Sequence, residues 1–271
     1  MGESPGRARR WTAVAIGVSL YLLASYLTLL LGPEAFAAAI EEDGPIETLG
    51  AVALLAAAVL FLVAFLRAGR PEHRSRRRPV RRLSLLVLAA IFLFGAGEEY
   101  SWGQRLFGVE TPAEIENVNR QGELNFHNLN VFTGWLDMTF LFQLFWIAFA
   151  VVVPVAAAIS PRARQRLVRL LPVIPLGLAL MFVANHLLAE VAYLAVSGRF
   201  EGEYPLDHSV FEIKETNLSV LFAVVAGWAA SRPLGAPTAP RDTRTESDVF
   251  GAADKTPTEP DPAHSASASS R

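Results

Sequence analysis

Long apolar runs broken by short polar stretches set the pattern of this chain. A helix needs about 18 or more largely apolar residues to cross a hydrocarbon core of about 30 Å. Six runs meet that requirement: about Trp11–Leu31, Pro45–Leu66, Leu83 to Trp102 or Gln104, Leu136–Ala158, Leu170–Val196 and Val210–Ala230. The pattern predicts an all-α polytopic transmembrane bundle over residues 11–231, with a short N-terminal segment, residues 1–10, before it. Pro172 and Pro175 fall in the expected first turns of the fifth run, where a missing N–H is tolerated, and Pro154 is expected to kink the fourth. Residues 232–271 are rich in Pro, Ser, Ala and Thr and poor in large apolar side chains. Such a segment buries too little surface to offset its ordering entropy, so a disordered tail is expected.

The charges add an orientation. Arg7, Arg9 and Arg10 precede the first run. Arg67, Arg70, Arg74, Arg76, Arg77, Arg78, Arg81 and Arg82 separate the second from the third, and Arg162, Arg164, Arg166 and Arg169 separate the fourth from the fifth. The alternate loops are acidic. Excess Lys and Arg mark the cytoplasmic side, so both termini are expected there, in the plasma membrane of a bacterial-type cell. The arginines need no nucleic acid to explain them, and no basic face with interleaved aromatics suggests one. Composition agrees with a membrane protein, at 52% hydrophobic and 18% charged residues. With no cysteine, disulfides, thiolate metal sites and cysteine nucleophiles are excluded. The Ala35-Phe36-Ala37 triplet resembles a cleavage site, but the preceding apolar run is long enough to read as an uncleaved anchor.

Ionisable groups inside a span cost about 2.5–3.5 kcal/mol each on insertion scales, and they commonly face the bundle interior and mark function. Here they gather toward the outer side. Glu41, Glu42 and Asp43 precede the second run, where Asp43 suits a helix cap, and Glu47 lies a turn inside. Glu98 and Glu99 close the third run; adjacent residues point about 100° apart on a helix, so the two are expected to serve different partners. Glu98 shares a helical face with Ser101 and Arg105, whose guanidinium could neutralise it. A loop of about 30 residues follows, long for a helix connection. It opens on Thr111-Pro112-Ala113-Glu114, which reads as a capped helix start, and closes on Asn125-Phe126-His127-Asn128. In the fifth run Asn185 precedes His186, and His186 and Glu190 have the i, i+4 spacing that lets two side chains share a ligand or bond each other. Asp207 and His208 precede the sixth run, with Glu212, Lys214 and Glu215 at its outer end.

The string GEEYSWGQR at Gly97–Arg105, followed by TP and then ELNFHN, resembles a motif set of bacterial polytopic membrane proteins whose usual form is similar to GEEISWGQR with a later NLHNL. Tyr100 replaces the common isoleucine and Phe126 the common leucine. The likeness is close over about Gly97–Leu129 and loose over the spans. It implies that Glu98, Glu99, Trp102, Gln104, Arg105, His127 and Asn128 form one outer-face unit, and it implies no reaction.

Three functions compete. The first is a membrane-embedded hydrolase or transferase acting on a lipid or lipid-linked substrate. Its expected catalytic residues are Glu98, Glu99, His127, His186 and Glu190, with Glu47, Trp102, Gln104, Arg105, Asn128, Asn185, Glu212 and Glu215 lining the pocket. A divalent metal held by His127, His186, Glu190 and Glu99 would activate water; without one, a buried glutamate would act as general acid beside an ionised partner. The second is an ion-coupled carrier, against which the dry inner half of the bundle argues. The third is a scaffold whose polar groups only brace the helices.

Overall fold

The computed structural model describes residues 5–31, 44–69, 79–132, 137–196 and 206–232. These fall within one compact unit, Glu3–Ala236. Glu41, Glu42, Asp43, the Ala35–Ala37 triplet, Arg70, Arg74, Arg76, Arg77, Arg78, Leu136 and the tail from residue 233 lie outside the described residues. So do the side chains of Arg7, Arg105, Asp207 and His208.

The described elements are helical: α1 (Pro5–Leu27), α2 (Pro45–Ala68), α3 (Pro79–Glu99), α4 (Met138–Ile159), α5 (Pro161–Leu170), α6 (Leu176–Val196) and α7 (Leu206–Ser231). Among the described residues, five helical segments are long and apolar enough to cross a membrane, namely α2, α3, α4, α6 and most of α1 with its following turn. The remaining long helix, α7, has 26 residues and so the length to cross. Its first half contains Glu212, Lys214, Glu215 and Asn217, which dilute the apolar run that the sequence alone suggests.

Small side chains decide where α7 sits. Gly50, Ala51, Ala53, Ala57, Ala58 and Ala64 are buried on α2 and let α7 pack closely along it. A methyl on Gly50 would come within 3.2 Å of Thr216 Oγ1, and that hydroxyl donates to the Ile46 carbonyl at 3.1 Å. At the other end Arg67 Nη1 donates to the Ala230 carbonyl at 2.8 Å, so α2 and α7 run parallel. Arg82, near the start of α3, covers the ring of Phe65 near the end of α2 at 4.5 Å, so α3 runs the other way. Buried Phe61, Phe92, Phe182 and Phe222 form the core between α2, α3, α6 and α7. Phe222 lies 4.7 Å from Phe92 and 5.0 Å from Phe182, centroid to centroid.

Three expectations about helix ends change. The N-cap of α2 is Gly44, which offers no side-chain bond, with Pro45 at the first helical position. Pro172 and Pro175 precede the fifth span instead of opening it, because α6 begins at Leu176 and Pro161–Leu170 forms a separate helix. The carbonyl of Pro175 accepts from Leu178 and Ala179, as a helix start requires. The third span ends at Glu99, short of Trp102, for reasons given below. At Pro154 the helix continues: Ile147–Val152 just before it takes the π form, which accommodates a proline that cannot donate inside a helix.

Buried polar groups tie α1, α6 and α7 together. Asn185 is fully buried; its Nδ2 donates to the Lys214 carbonyl at 3.1 Å, and its Oδ1 accepts from the Tyr26 hydroxyl at 2.9 Å. Asn217, also fully buried, donates to Ser25 Oγ at 2.9 Å. Such bonds between helices replace the water that neither amide can reach.

Candidate functional site

The end of α3 is where the chain turns its polar residues to use. Ser101 and Trp102 both have left-handed backbone, with φ of 43° and 53°. Gly103 follows at φ 80°. Left-handed backbone in a bulky residue such as tryptophan costs about 1–3 kcal/mol, so neighbouring contacts must hold it. They come from Glu98 and Gly97. Trp102 Nε1–H donates to Glu98 Oε1 at 2.6 Å. The indole lies flat on Gly97, where an added methyl would meet its ring carbons at 2.8 Å. Phe94 packs edge-on against the indole at 5.6 Å.

Glu98 does a second task. Its Oε2 accepts the backbone N–H of Phe126 at 2.7 Å and of His127 at 2.8 Å, and stands 3.3 Å from His127 Nδ1. One buried carboxylate thus ties the helix end to a loop segment 28 residues on. Its remaining neighbours knit the loop. Ser101, expected on the helical face of Glu98, instead leaves the helix and donates to Glu123, while Asn125 Nδ2 bonds Glu123 at 3.0 Å. Asn119 Nδ2 donates to Asn125 Oδ1 at 2.9 Å, and Leu124 N–H donates to Gln104 Oε1 at 2.7 Å. Asn128 donates to Gln121, and a single antiparallel bridge pairs Asn119 with Leu129. Thr111 accepts from Gln104 and does not cap the short helix Ala113–Glu116, whose N-cap is Pro112. Ser101, Asn119, Glu123 and Asn125 are buried. The sequence pattern points to Ser101 and Asn125 without giving them these partners, and it singles out neither Asn119 nor Glu123 as a buried group.

Glu99 turns elsewhere, as a 100° rotation along the helix requires. Its electrostatic neighbours are Glu215, Glu212 and Glu47, with Glu98 beside it in the chain. Glu215 in turn interacts with Glu212, His127 and Lys214. The bond between Thr216 and Ile46 explains the convergence, because Glu47 and Glu215 each adjoin one member of that contact. Electrostatics thus couples carboxylates of α2, α3 and α7 to one another, and couples Glu215 to the imidazole that Glu98 holds. Lys214 is buried among them, its Nζ 5.6 Å from the centre of the Phe211 ring.

His186 and Glu190 form a different pair. Their side chains approach to 3.7 Å, Glu190 is 53% exposed, and His186 packs against Trp146. Asn185 and Ala189 on the same helix turn inward, which leaves the next residue of each pair on an outward-facing flank. Asn185 is thus occupied in bracing helices. The four residues expected to share a metal divide accordingly: His127 beside Glu98, Glu99 with the acids of α2 and α7, and His186 with Glu190. Among the described residues no group of three or more His, Asp or Glu side chains is arranged to hold a metal ion.

No family model matches the chain, and no curated protein or solved structure matches it either. The family likeness of the GEEYSWGQR segment rests on those residues alone. What the helices establish is the class: the chain is a multi-pass, all-helical integral membrane protein.

Proposed function

We propose that this is a six-span plasma-membrane protein with both termini cytoplasmic, in which Glu99, Glu215 and His127 form an acid–base site for hydrolysis or group transfer on a lipid-phase substrate. The observation that carries the reading is the electrostatic coupling of carboxylates from three helices, one of which, Glu215, is coupled to an imidazole set by Glu98. Gathering like charges at one end of a bundle costs energy, and groups arranged so are used more often than they are idle. In the proposed chemistry one of Glu99 and Glu215 gives a proton to the leaving group while its ionised partner takes one from the attacking hydroxyl or water. His127, bonded to the Glu98 carboxylate and electrostatically coupled to Glu215, would relay or stabilise charge in this scheme. The α7 helix supports a sixth span, since it runs parallel to α2 from Thr216, beside Ile46, to Ala230, beside Arg67, and its polar Lys214 and Asn217 are buried against other helices.

The test is lipid conversion. Wild-type protein in nanodiscs made from bacterial polar lipids with lipid-linked precursors is incubated, and the lipids are read by mass spectrometry. A new product absent from empty nanodiscs and from Glu99→Gln discs supports the reading; identical lipid profiles in all three sink it.

An ion-coupled carrier is the second reading. It draws on the buried amides, because Asn185 of α6 bonds the Lys214 carbonyl beside Glu215 and Asn217 lies on α7 two residues further on. Cation- or proton-dependent uptake into proteoliposomes, abolished by Glu215→Gln, would favour it.

A further inference from the structure

The other end of the bundle carries the basic residues, and most of those near its core are already engaged. Arg67 bonds the Ala230 carbonyl, Arg82 covers Phe65, and Arg232 lies 4.5 Å over Trp228. Helix α5 differs. Arg162, Arg164, Arg166 and Arg169 are all exposed, and among the described residues none of them has an ion pair, hydrogen bond or ring contact.

Helical geometry sorts the four. At about 100° per residue, Arg162, Arg166 and Arg169 fall within an arc of about 60°, while Arg164 lies about 200° around from Arg162. Along the axis the three are spaced by about 6 Å and then about 4.5 Å. Across the helix, Ala163, Leu167 and Val168 are half-buried, and α5 packs against α3. Exposed apolar residues flank it, with Ile159 79% exposed at the end of α4 and Leu170 and Leu176 at 46% on either side of the linker to α6. A helix with an inward apolar side, apolar neighbours open to acyl chains and a free row of guanidiniums has the build of an interfacial helix.

From this geometry we infer that the Arg162–Arg166–Arg169 row binds the phosphates of anionic phospholipid headgroups, holding lipid against α5. Guanidinium is suited to phosphate because its donors form a planar fork that bonds two oxygens at once. Three in a row offer partners for two adjacent headgroup phosphates. The occupant is a membrane lipid, not a soluble phosphate, because the row is bordered by apolar surface that acyl chains would cover. An anionic lipid near a surface contributes about fivefold in affinity per basic residue, so the row contributes roughly a hundredfold at low salt.

The full-length protein is purified in detergent and titrated with mixtures of phosphatidylglycerol and phosphatidylcholine, and retained lipid is counted by native mass spectrometry. Wild type is expected to retain phosphatidylglycerol selectively, less so as salt rises, and millimolar inorganic phosphate is expected not to displace it. The combined Arg162→Gln, Arg166→Gln, Arg169→Gln protein is expected to lose that selectivity, while Arg164→Gln keeps most of it. If the triple variant does not purify as a folded protein, Arg166→Gln alone should lose selectivity about fivefold. Unchanged selectivity in Arg166→Gln and in any folded triple variant overturns the inference, as does displacement by inorganic phosphate or an equal loss in Arg164→Gln.

Discussion

Replacing Glu98 or Glu99 by glutamine makes nearly the same change in shape and charge, one residue apart, and the two should behave in opposite ways. Glu98 uses both oxygens: one accepts the Trp102 indole N–H, the other the backbone N–H groups of Phe126 and His127. Glutamine has one acceptor oxygen and puts an NH₂ donor in the other place. Either the indole or the pair of loop amides then faces a donor. A hydrogen bond to a charged acceptor contributes about 1.5–3 kcal/mol and a neutral one about 0.5–1.5 kcal/mol. Losing one set and weakening the other costs about 2–4 kcal/mol in a dry setting. Phe126 and His127 are partly open to water, which re-pairs some of the freed groups, so about 2 kcal/mol is the working figure. That loss falls on the loop. Amide hydrogen exchange of peptides covering 123–129, followed by mass spectrometry in nanodiscs, should speed up roughly thirtyfold in Glu98→Gln. Glu99→Gln removes one of several neighbouring like charges and no hydrogen bond to the loop, so exchange there should stay as in wild type. Equal loosening by both substitutions, or by neither, would refute this division of labour.

Other substitutions follow from contacts of the same kind. Gly97→Ala places a methyl 2.8 Å from the Trp102 ring, and should lower stability by about 1–3 kcal/mol in thermal unfolding while changing the near-ultraviolet circular dichroism of the indole. Asn185→Leu removes the amide's bonds to the Tyr26 hydroxyl and the Lys214 carbonyl, leaving Tyr26 only the residue-185 backbone carbonyl at 3.1 Å, which should cost about 1–3 kcal/mol in the same melt, whereas Ala184→Leu on the exposed side of α6 should cost little. The chain has no cysteine, so single cysteines report topology cleanly. With both termini cytoplasmic, Gln165→Cys in α5 should react with an impermeant maleimide only in inverted vesicles, and Glu114→Cys only in intact spheroplasts. The reverse pattern would overturn the orientation.

The apolar runs announce the helices, because a span must satisfy its backbone internally and so leaves a long hydrophobic record. Their ends are harder to read. Nothing in residue propensity suggests that Ser101 and Trp102 adopt left-handed backbone; that depends on Glu98 and Gly97 holding the indole, and on a loop partner far along the chain. For a like reason Leu170–Val196 reads as one run, though its first residue closes the amphipathic helix Pro161–Leu170 and the span begins only at Leu176. The separate directions of Glu98 and Glu99 were legible from their adjacency. The buried loop network of Ser101, Asn119, Glu123 and Asn125 was not, because asparagine, serine and glutamate in a loop are ordinary until folding buries them. Asn217 was open to notice and went unremarked: an amide amid apolar residues of a long helix needs a partner, and here it is Ser25. The i, i+4 spacing of His186 and Glu190 did foretell their contact, but spacing along one helix says nothing about which side faces its neighbours.

The central claim is that chemistry belongs to the acidic group of α2, α3 and α7 and not to the histidine–glutamate pair on α6. Lipid conversion measured side by side in wild type, Glu99→Gln, Glu215→Gln and Glu190→Gln nanodiscs tests it most directly. Losing an acid or base from a working site lowers turnover by about 10²–10⁴-fold, so the first two variants should fall by that order while Glu190→Gln stays near wild type. Full conversion by Glu99→Gln and Glu215→Gln, or a loss confined to Glu190→Gln, would contradict the account.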